Sequence, residues 1–186
     1  MAEFEDLIET LRKAAPLLQE AAVPFVLGGG LACWARGGPE SDHDLDLMVK
    51  PDDAEPALKV LEEAGLRVER PPEDWLYKAW NGDVLIDLIF APKGGEIDDG
   101  IFARAEDLEV SAVRMPVMAL EDVLVTKLLA LGEHELDYES VLEVARSLRE
   151  QVDWDEVRAR TAESPYARAF FFLLEQLGVL ATEQRQ

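Results

Sequence analysis

The chain has 186 residues, of which 48% are hydrophobic and 31% are charged, and its formal net charge is −21. That length and hydrophobic content are enough for one well-formed core. Affinity for nucleic acid comes largely from Lys and Arg contacts to phosphates, so this acidic chain is a poor general binder of RNA or DNA. The single cysteine, Cys33, excludes an intramolecular disulfide, and no apolar run approaches the roughly 20 residues that cross a bilayer. Since no secretory leader pattern is present either, we expect a cytoplasmic protein with no membrane partner.

Helices and strands alternate through the first two thirds of the chain, and the pattern is helical afterwards. In chain order, we predict helix 4–20, strand 25–27, helix 31–36, strand 45–49, helix 54–64, strand 66–69, strand 76–80, strand 84–90 and strand 113–115. An Asn81-Gly82 turn is expected to join strands 76–80 and 84–90 into a hairpin. The later segments with helical periodicity are 119–131, 137–150, 153–162 and 165–179. The sequence therefore predicts an α/β part over residues 1–118, followed by a helical region over 119–186 that packs on it.

Three consecutive glycines, Gly28, Gly29 and Gly30, stand between the apolar strand 25–27 and the helical segment 31–36. Glycine lets the backbone approach a ligand closely, and the first N–H groups of a helix have no partner within the helix. This arrangement predicts a site where backbone N–H groups face phosphates.

Three acidic residues lie within, or directly before, two of the predicted strands. Alternation along a strand puts Asp44 and Asp46 on the same face. Asp87 is the only charged residue within the apolar run 84–90. Crowded carboxylates repel one another unless a cation lies between them, and hard oxygen ligands on a rigid strand suit Mg²⁺. Three such acids on neighbouring strands predict a site for phosphoryl chemistry, in which two metals lie roughly 3.5–4 Å apart.

Other interpretations of the same residues are weaker. A dinucleotide-binding turn needs Gly or Ala at its sixth position, which here is Cys33, and a P-loop motif is absent. A calcium-binding loop over these acids needs Gly where the chain has Leu47. The plainest alternative makes Asp44 and Asp46 the solvated face of an edge strand, but it leaves Asp87 among aliphatic residues unexplained.

The glycine turn and the acids together resemble the signature of the nucleotidyltransferases with a polymerase-β-like fold. That signature is Gly-Gly or Gly-Ser, a spacer, then Asp-x-Asp or Asp-x-Glu. Here it reads Gly29-Gly30, a spacer through His43, then Asp44-Leu45-Asp46. Asp87 matches the third strand acid of the family. The resemblance implies a mixed sheet flanked by helices, and Mg²⁺ or Mn²⁺ held by the three acids. It also implies transfer of a nucleoside monophosphate from an NTP to an acceptor hydroxyl that the third acid activates.

A second, looser match points to one branch of that family. Segment 120–131, LEDVLVTKLLAL, looks like a helix of the AbiEii-like and MenT-like toxins in which a lysine contacts the triphosphate, and Lys127 is the matching residue. Asp137 resembles a downstream active-site acid of the same branch. From the residues alone, Lys127 is as well explained by a stem that covers apolar surface, and Asp137 by the N-cap of helix 137–150. The branch implies a tRNA 3′ end as acceptor and a cognate antitoxin as partner.

The net charge of −21 opposes an RNA acceptor and keeps two alternatives open. A cationic small acceptor suits an acidic chain better, which favours the antibiotic-modifying members of the family that adenylylate aminoglycosides. The other alternative is a non-catalytic nucleotide-binding module. The basic residues that would have to cluster to bind tRNA are Arg104, Arg114, Arg146 and Arg149. The tryptophans that are candidates to stack a base are Trp34, Trp75 and Trp80.

Overall fold

The computed structural model describes residues 4–40, 44–133 and 136–181, so His43, the last residue of the predicted spacer, lies outside the described residues. The α-helices of the described part are α1 (Phe4–Glu20), α2 (Gly29–Trp34), α3 (Pro51–Glu63), α4 (Asp99–Arg104), α5 (Leu120–Ala130), α6 (Tyr138–Ser147), α7 (Trp154–Arg160) and α8 (Pro165–Gln176). The strands are β1 (Val26–Leu27), β2 (Leu45–Met48), β3 (Arg67–Glu69), β4 (Leu76–Asn81), β5 (Val84–Ile89), β6 (Glu106–Val110) and β7 (Val113–Val117). A short 3₁₀ turn at Arg149–Gln151 connects α6 to α7.

The described strands form one seven-stranded sheet in the order β3-β4-β5-β2-β1-β7-β6. Strand β2 runs parallel to β5 and antiparallel to β1, and β1 runs parallel to β7. The outer pairs, β3 with β4, β4 with β5 and β6 with β7, are antiparallel. The sheet is therefore mixed and flanked by helices, which confirms the predicted fold class.

The two faces of the central strands differ in chemistry. Alternate residues of β2 and β5 give one fully buried aliphatic face, and helices α1 and α3 pack against these strands. The residues of this face include Leu45, Leu47, Ile86 and Leu88. The intervening residues, which include the acids, project to the other face, and helix α2 contacts both β2 and α5. The strand pattern thus separates a structural face from a polar one.

Some element boundaries differ from the sequence prediction. Helix α3 begins at Pro51 instead of residue 54, because proline fits the first turn of a helix, where no N–H is needed. Helix α2 begins at Gly29, so two of the three glycines are helical residues. Helix α4 and strand β6 were not predicted, because α4 is short and β6 is an edge strand with mostly exposed polar residues.

The hairpin loop also lies one residue further along the chain than expected. Asn81 still pairs with Val84, so the loop residues are Gly82 and Asp83, and not Asn81 and Gly82. Gly82 has a positive φ of 63°, a conformation that favours glycine in two-residue hairpin loops. The shift changes which residue of β4 lies opposite each residue of β5.

The buried apolar side chains form one connected core that includes both the sheet and the helices after β7. Phe170 and Phe171 of α8 are among its largest fully buried members. No helix in the described part of the chain is long and apolar enough to cross a membrane.

Candidate functional site

Three carboxylates converge on the polar face of the sheet. Asp46 on β2 lies directly opposite Asp87 on the parallel strand β5, and Asp44 immediately precedes β2. One carboxylate oxygen from each residue lies within 4.8 Å of the other two. Asp87 is buried, while Asp44 and Asp46 are half-buried. Such a set of hard oxygen atoms around one small space fits a divalent cation.

The glycine turn is fixed against this cluster. The backbone N–H of Gly28 donates a 2.9 Å hydrogen bond to the carbonyl oxygen of Asp46. Gly29 has a φ of 55°, and a Cβ at this position would lie 1.6 Å from Oδ2 of Asp46. Only glycine therefore lets the start of α2 approach the carboxylate so closely. The backbone N–H groups at the start of α2, Gly30 among them, have no partner within the helix.

The acids disfavour one another's charge. Burial, followed by the neighbouring charge of Asp44, raises the pKa of Asp46 to about 8, although Lys127 and Lys78 act in the opposite direction. Burial also raises the pKa of Asp87 to about 6, and Lys78 partly opposes that increase. A bound cation would remove this conflict, because it favours the ionised form of every carboxylate around it.

Sequence analysis missed Lys78. This residue lies opposite Asp87 in the β4–β5 pair, and its Nζ is 3.3 Å from Oδ1 of Asp87. The predicted hairpin loop would have put Leu76 in that place. The Gly82-Asp83 dipeptide is also a common two-residue hairpin loop, and placing the loop there would have paired Lys78 with Asp87.

Lys127 and Asp137 line one cavity, which is separate from the triad of Asp44, Asp46 and Asp87. Its volume is about 600 Å³, and its other lining residues are Trp75, Ala91, Pro92, Lys93, Thr126, Ala130, Leu131, Ser140 and Val141. Lys127 on α5 opposes the increase in the pKa of Asp46, and the pKa of Asp137 is lowered mainly by its hydrogen bonds with Ser140 and also by Lys127. Asp137 is the N-cap of α6 and accepts a 3.2 Å hydrogen bond from the backbone N–H of Ser140. The capping interpretation is correct, and the same residue faces the cavity that contains Lys127.

Three of the four arginines that would have to cluster to bind tRNA lie next to acidic residues instead. Arg104 forms two hydrogen bonds with the buried carboxylate of Asp122, at 2.8 and 2.9 Å. Arg149 pairs with Glu150. Arg114 lies opposite Glu109 in the β6–β7 pair. Acids therefore neutralise or face these arginines locally.

Solved structures of nucleotidyltransferases share this fold. ANT(2″)-Ia, in a complex with adenylyl-2″-tobramycin, is 16% identical with a TM-score of 0.63, over 89% of this chain and 97% of that one. The lincosamide antibiotic adenylyltransferase LnuA, bound to lincomycin, is 14% identical with a TM-score of 0.55, over 77% of this chain and 97% of that one. A nucleotidyltransferase-fold protein of Thermotoga maritima is 16% identical with a TM-score of 0.51, over 77% and 88% of the two chains.

No curated protein sequence matches the chain significantly. A family model described as "uncharacterised nucleotidyltransferase" matches residues 6–180, which is almost the whole chain. At these identities the solved structures establish the fold, and the family match agrees with them. The chain therefore belongs to this nucleotidyltransferase family.

Proposed function

We propose that the protein transfers a nucleoside monophosphate from an NTP to an acceptor hydroxyl and releases pyrophosphate. The observation that carries this proposal is the convergence of Asp44, Asp46 and Asp87 beside the glycine turn. Three mutually repelling carboxylates on rigid strands serve no packing purpose that aliphatic residues would not serve better. Their convergence in one small space argues against a domain that only binds nucleotides.

The three acids would hold Mg²⁺ or Mn²⁺, because their oxygen atoms are hard ligands and lie close enough to share an ion. Such ions neutralise phosphate charge and favour an in-line displacement when bound. Asp87 lies at the side of the cluster nearer β4 and would accept the proton of the acceptor hydroxyl or complete a second ion site.

Two further groups would hold the triphosphate. Gly29 and Gly30 have no side chains, so their backbone N–H groups can approach phosphate oxygens closely. Lys127, on α5, carries an ammonium group whose charge opposes the increase in the pKa of Asp46. Its charge would stabilise the pyrophosphate as it leaves.

The acceptor that the charges favour is a small cationic compound with free hydroxyl groups. The chain carries 39 acidic and 18 basic residues, and Arg104 and Arg149 are already paired with acids. A negative field attracts cations and repels an RNA backbone. Two proteins with this fold, ANT(2″)-Ia and LnuA, were solved with adenylyl-2″-tobramycin and with lincomycin, which supports this class of acceptor.

A second candidate is transfer to the 3′ end of tRNA by a toxin that a cognate antitoxin neutralises. Lys127 and Asp137 line the same cavity, and these are the two residues on which the resemblance to the AbiEii-like and MenT-like branch rests. This geometry supports the branch only through those two positions, and the acidic surface weighs against it.

One assay separates these candidates. The protein is incubated with Mg²⁺, each labelled NTP, and either total tRNA or a panel of aminoglycosides and lincosamides, with Asp46→Asn as the control for contaminating transferases. Label on an antibiotic supports the first acceptor class, and label on tRNA supports the second. NTP binding without pyrophosphate release for any acceptor would support the non-catalytic module and contradict the proposed reaction.

A further inference from the structure

We propose that the base and ribose of the NTP occupy the cavity lined by α5 and α6, and that the base stacks on the ring of Trp75. This inference rests on the proposed function, since it assigns the part of the NTP that the triad and the glycine turn leave unbound.

Trp75 differs from the other tryptophans in its surroundings. Its surface is 40% exposed, and no aromatic or cationic partner contacts its ring within residues 4–40, 44–133 and 136–181. Trp34 packs edge-on against Phe4, and Trp80 lies 3.6 Å beneath the guanidinium of Arg67. The indole N–H of Trp154 donates a hydrogen bond to a backbone carbonyl. Each of the other rings is therefore already engaged.

The position of Trp75 is nevertheless rigid. Its carbonyl oxygen accepts hydrogen bonds from the N–H groups of Phe90 and Ala91, at 3.0 and 3.1 Å. These bonds tie the residue before β4 to the segment that follows β5. A large apolar ring that extends from a fixed backbone position and is exposed in a cavity is a suitable surface for stacking.

The rest of the cavity suits a nucleoside. Its apolar wall includes Ala91, Pro92, Leu131 and Val141. A volume of about 600 Å³ falls within the range of small-molecule sites. Flat aromatic bases stack well on such walls because every base offers a π-face.

The charges of the cavity favour the nucleotide over a cationic acceptor. Two ammonium groups line it, those of Lys93 and Lys127, whereas its one carboxylate, that of Asp137, already accepts an N–H from Ser140. Lys93 is held near the end of α5 by a 3.2 Å hydrogen bond from its Nζ to the carbonyl oxygen of Ala130. An anionic ligand gains from both lysines, and a polyamine would be repelled by them.

The orientation follows from Lys127. Lys127 lies on α5, and α5 contacts α2, the helix that begins at Gly29 beside Asp46, so Lys127 marks the end of the cavity that is nearer the triad. The phosphates would lie at the triad end, and the base would lie towards Trp75 and Pro92. The acceptor is then left to approach from the β3–β4 side of the sheet, next to Lys78.

The test is equilibrium binding to the full chain in the presence of Mg²⁺. The ligands are fluorescent methylanthraniloyl derivatives of the four NTPs and, by competition, inorganic triphosphate. We expect Trp75→Ala to weaken NTP binding about 10-fold or more, and Trp75→Phe to stay within about 3-fold of wild type, because a phenyl ring still stacks. Inorganic triphosphate should bind wild type and Trp75→Ala equally.

The matched control is Trp80→Ala, which removes a ring of the same kind outside the cavity and should leave NTP binding unchanged. Equal NTP binding by wild type and Trp75→Ala would overturn the base assignment alone. An equal loss of triphosphate binding in Trp75→Ala would also overturn it, because the substitution would then act on the phosphate end. If the wild-type chain bound no NTP at all, the proposed function itself would fail.

Discussion

The two faces of strands β2 and β5 come from alternate residues of the same short segments, yet they oppose each other energetically. On one face, Leu45 and Leu47 are fully buried and stabilise the fold. On the other face, Asp46 and Asp87 have raised pKa values, because burial and neighbouring charge disfavour their ionised forms. The aliphatic face thus stabilises a fold that the ionised acids destabilise when no cation is bound. Truncating an aliphatic residue should therefore lower stability more than activity. Neutralising an acid should lower activity and raise the stability of the metal-free protein.

The largest expected effect comes from Asp46→Asn. The change removes a ligand of the proposed metal site, and we expect nucleotidyl transfer to fall by roughly 10²–10³-fold or more. It also removes a charge that the fold disfavours, so the melting temperature without metal should rise at pH 8. Pyrophosphate release and thermal unfolding measure the two effects. Retained turnover would contradict the assigned role of the triad.

Gly29→Ala tests whether the polar face depends on the glycine turn. A Cβ there would lie 1.6 Å from Oδ2 of Asp46, so the carboxylate or the turn must move, and we expect transfer to fall by about 10²-fold. Kinetics with Mg²⁺ and an NTP measure the loss.

Gly65→Ala is the matched control for backbone strain. Gly65 also has a positive φ, of 86°, but a Cβ there would meet no atom within 4 Å. It should lose stability by about 1 kcal/mol and keep full activity per folded molecule. Equal activities of the two alanine variants would show that the contact with Asp46 is unimportant.

Leu47→Ala tests the opposite face. Its side chain is fully buried on β2, and truncation leaves a cavity, so we expect the free energy of unfolding to fall by about 3–5 kcal/mol. Denaturant unfolding measures the loss. Activity per folded molecule should change far less than in Asp46→Asn, and a comparable loss of activity would show that the two faces are not separable.

The last test is a pH dependence that only the polar face predicts. Asp46 and Asp87 have pKa values of about 8 and about 6 in the fold, above the ordinary value of 3.8 that applies in the unfolded chain. Between pH 4 and pH 8 the native state therefore binds more protons than the unfolded state, and this pair's contribution to stability falls as pH rises.

Thermal unfolding across that range, with and without Mg²⁺, is the measurement. Because metal ions bind deprotonated carboxylates, the stabilisation by Mg²⁺ should grow with pH. The difference between Asp46→Asn and wild type should also grow with pH. A pH-independent difference would show that the raised pKa of Asp46 does not contribute to stability.

The sequence predicted the polar face well, because strand alternation alone puts Asp44 and Asp46 together and the apolar run around Asp87 marks a neighbouring strand. It did not predict Lys78. Moving a two-residue loop by one position shifts the cross-strand partner of Asp87 by two residues, from Leu76 to Lys78. A shift of two keeps every side chain on its face, so the hydrophobic pattern contains no trace of the error.

The cavity could not be predicted for a different reason. Its walls come from segments far apart in the chain, the start of β4, the loop after β5, and helices α5 and α6. Local periodicity predicts each element but not how they lie relative to one another. Trp75 and Lys127 are 52 positions apart in the chain, and only the packing of these elements brings both to one cavity.

The hydrogen bond from Gly28 to the backbone of Asp46 has a consequence for ligand binding. It joins the glycine turn, which would face phosphates, to a strand that holds the acids, so a movement of one would be transmitted to the other. Nucleotide and metal should then bind cooperatively, and thermodynamic reciprocity requires each to raise the affinity of the other by the same factor. Such coupling would make the complex of metal and nucleotide, and not either component alone, the species that the enzyme recognises.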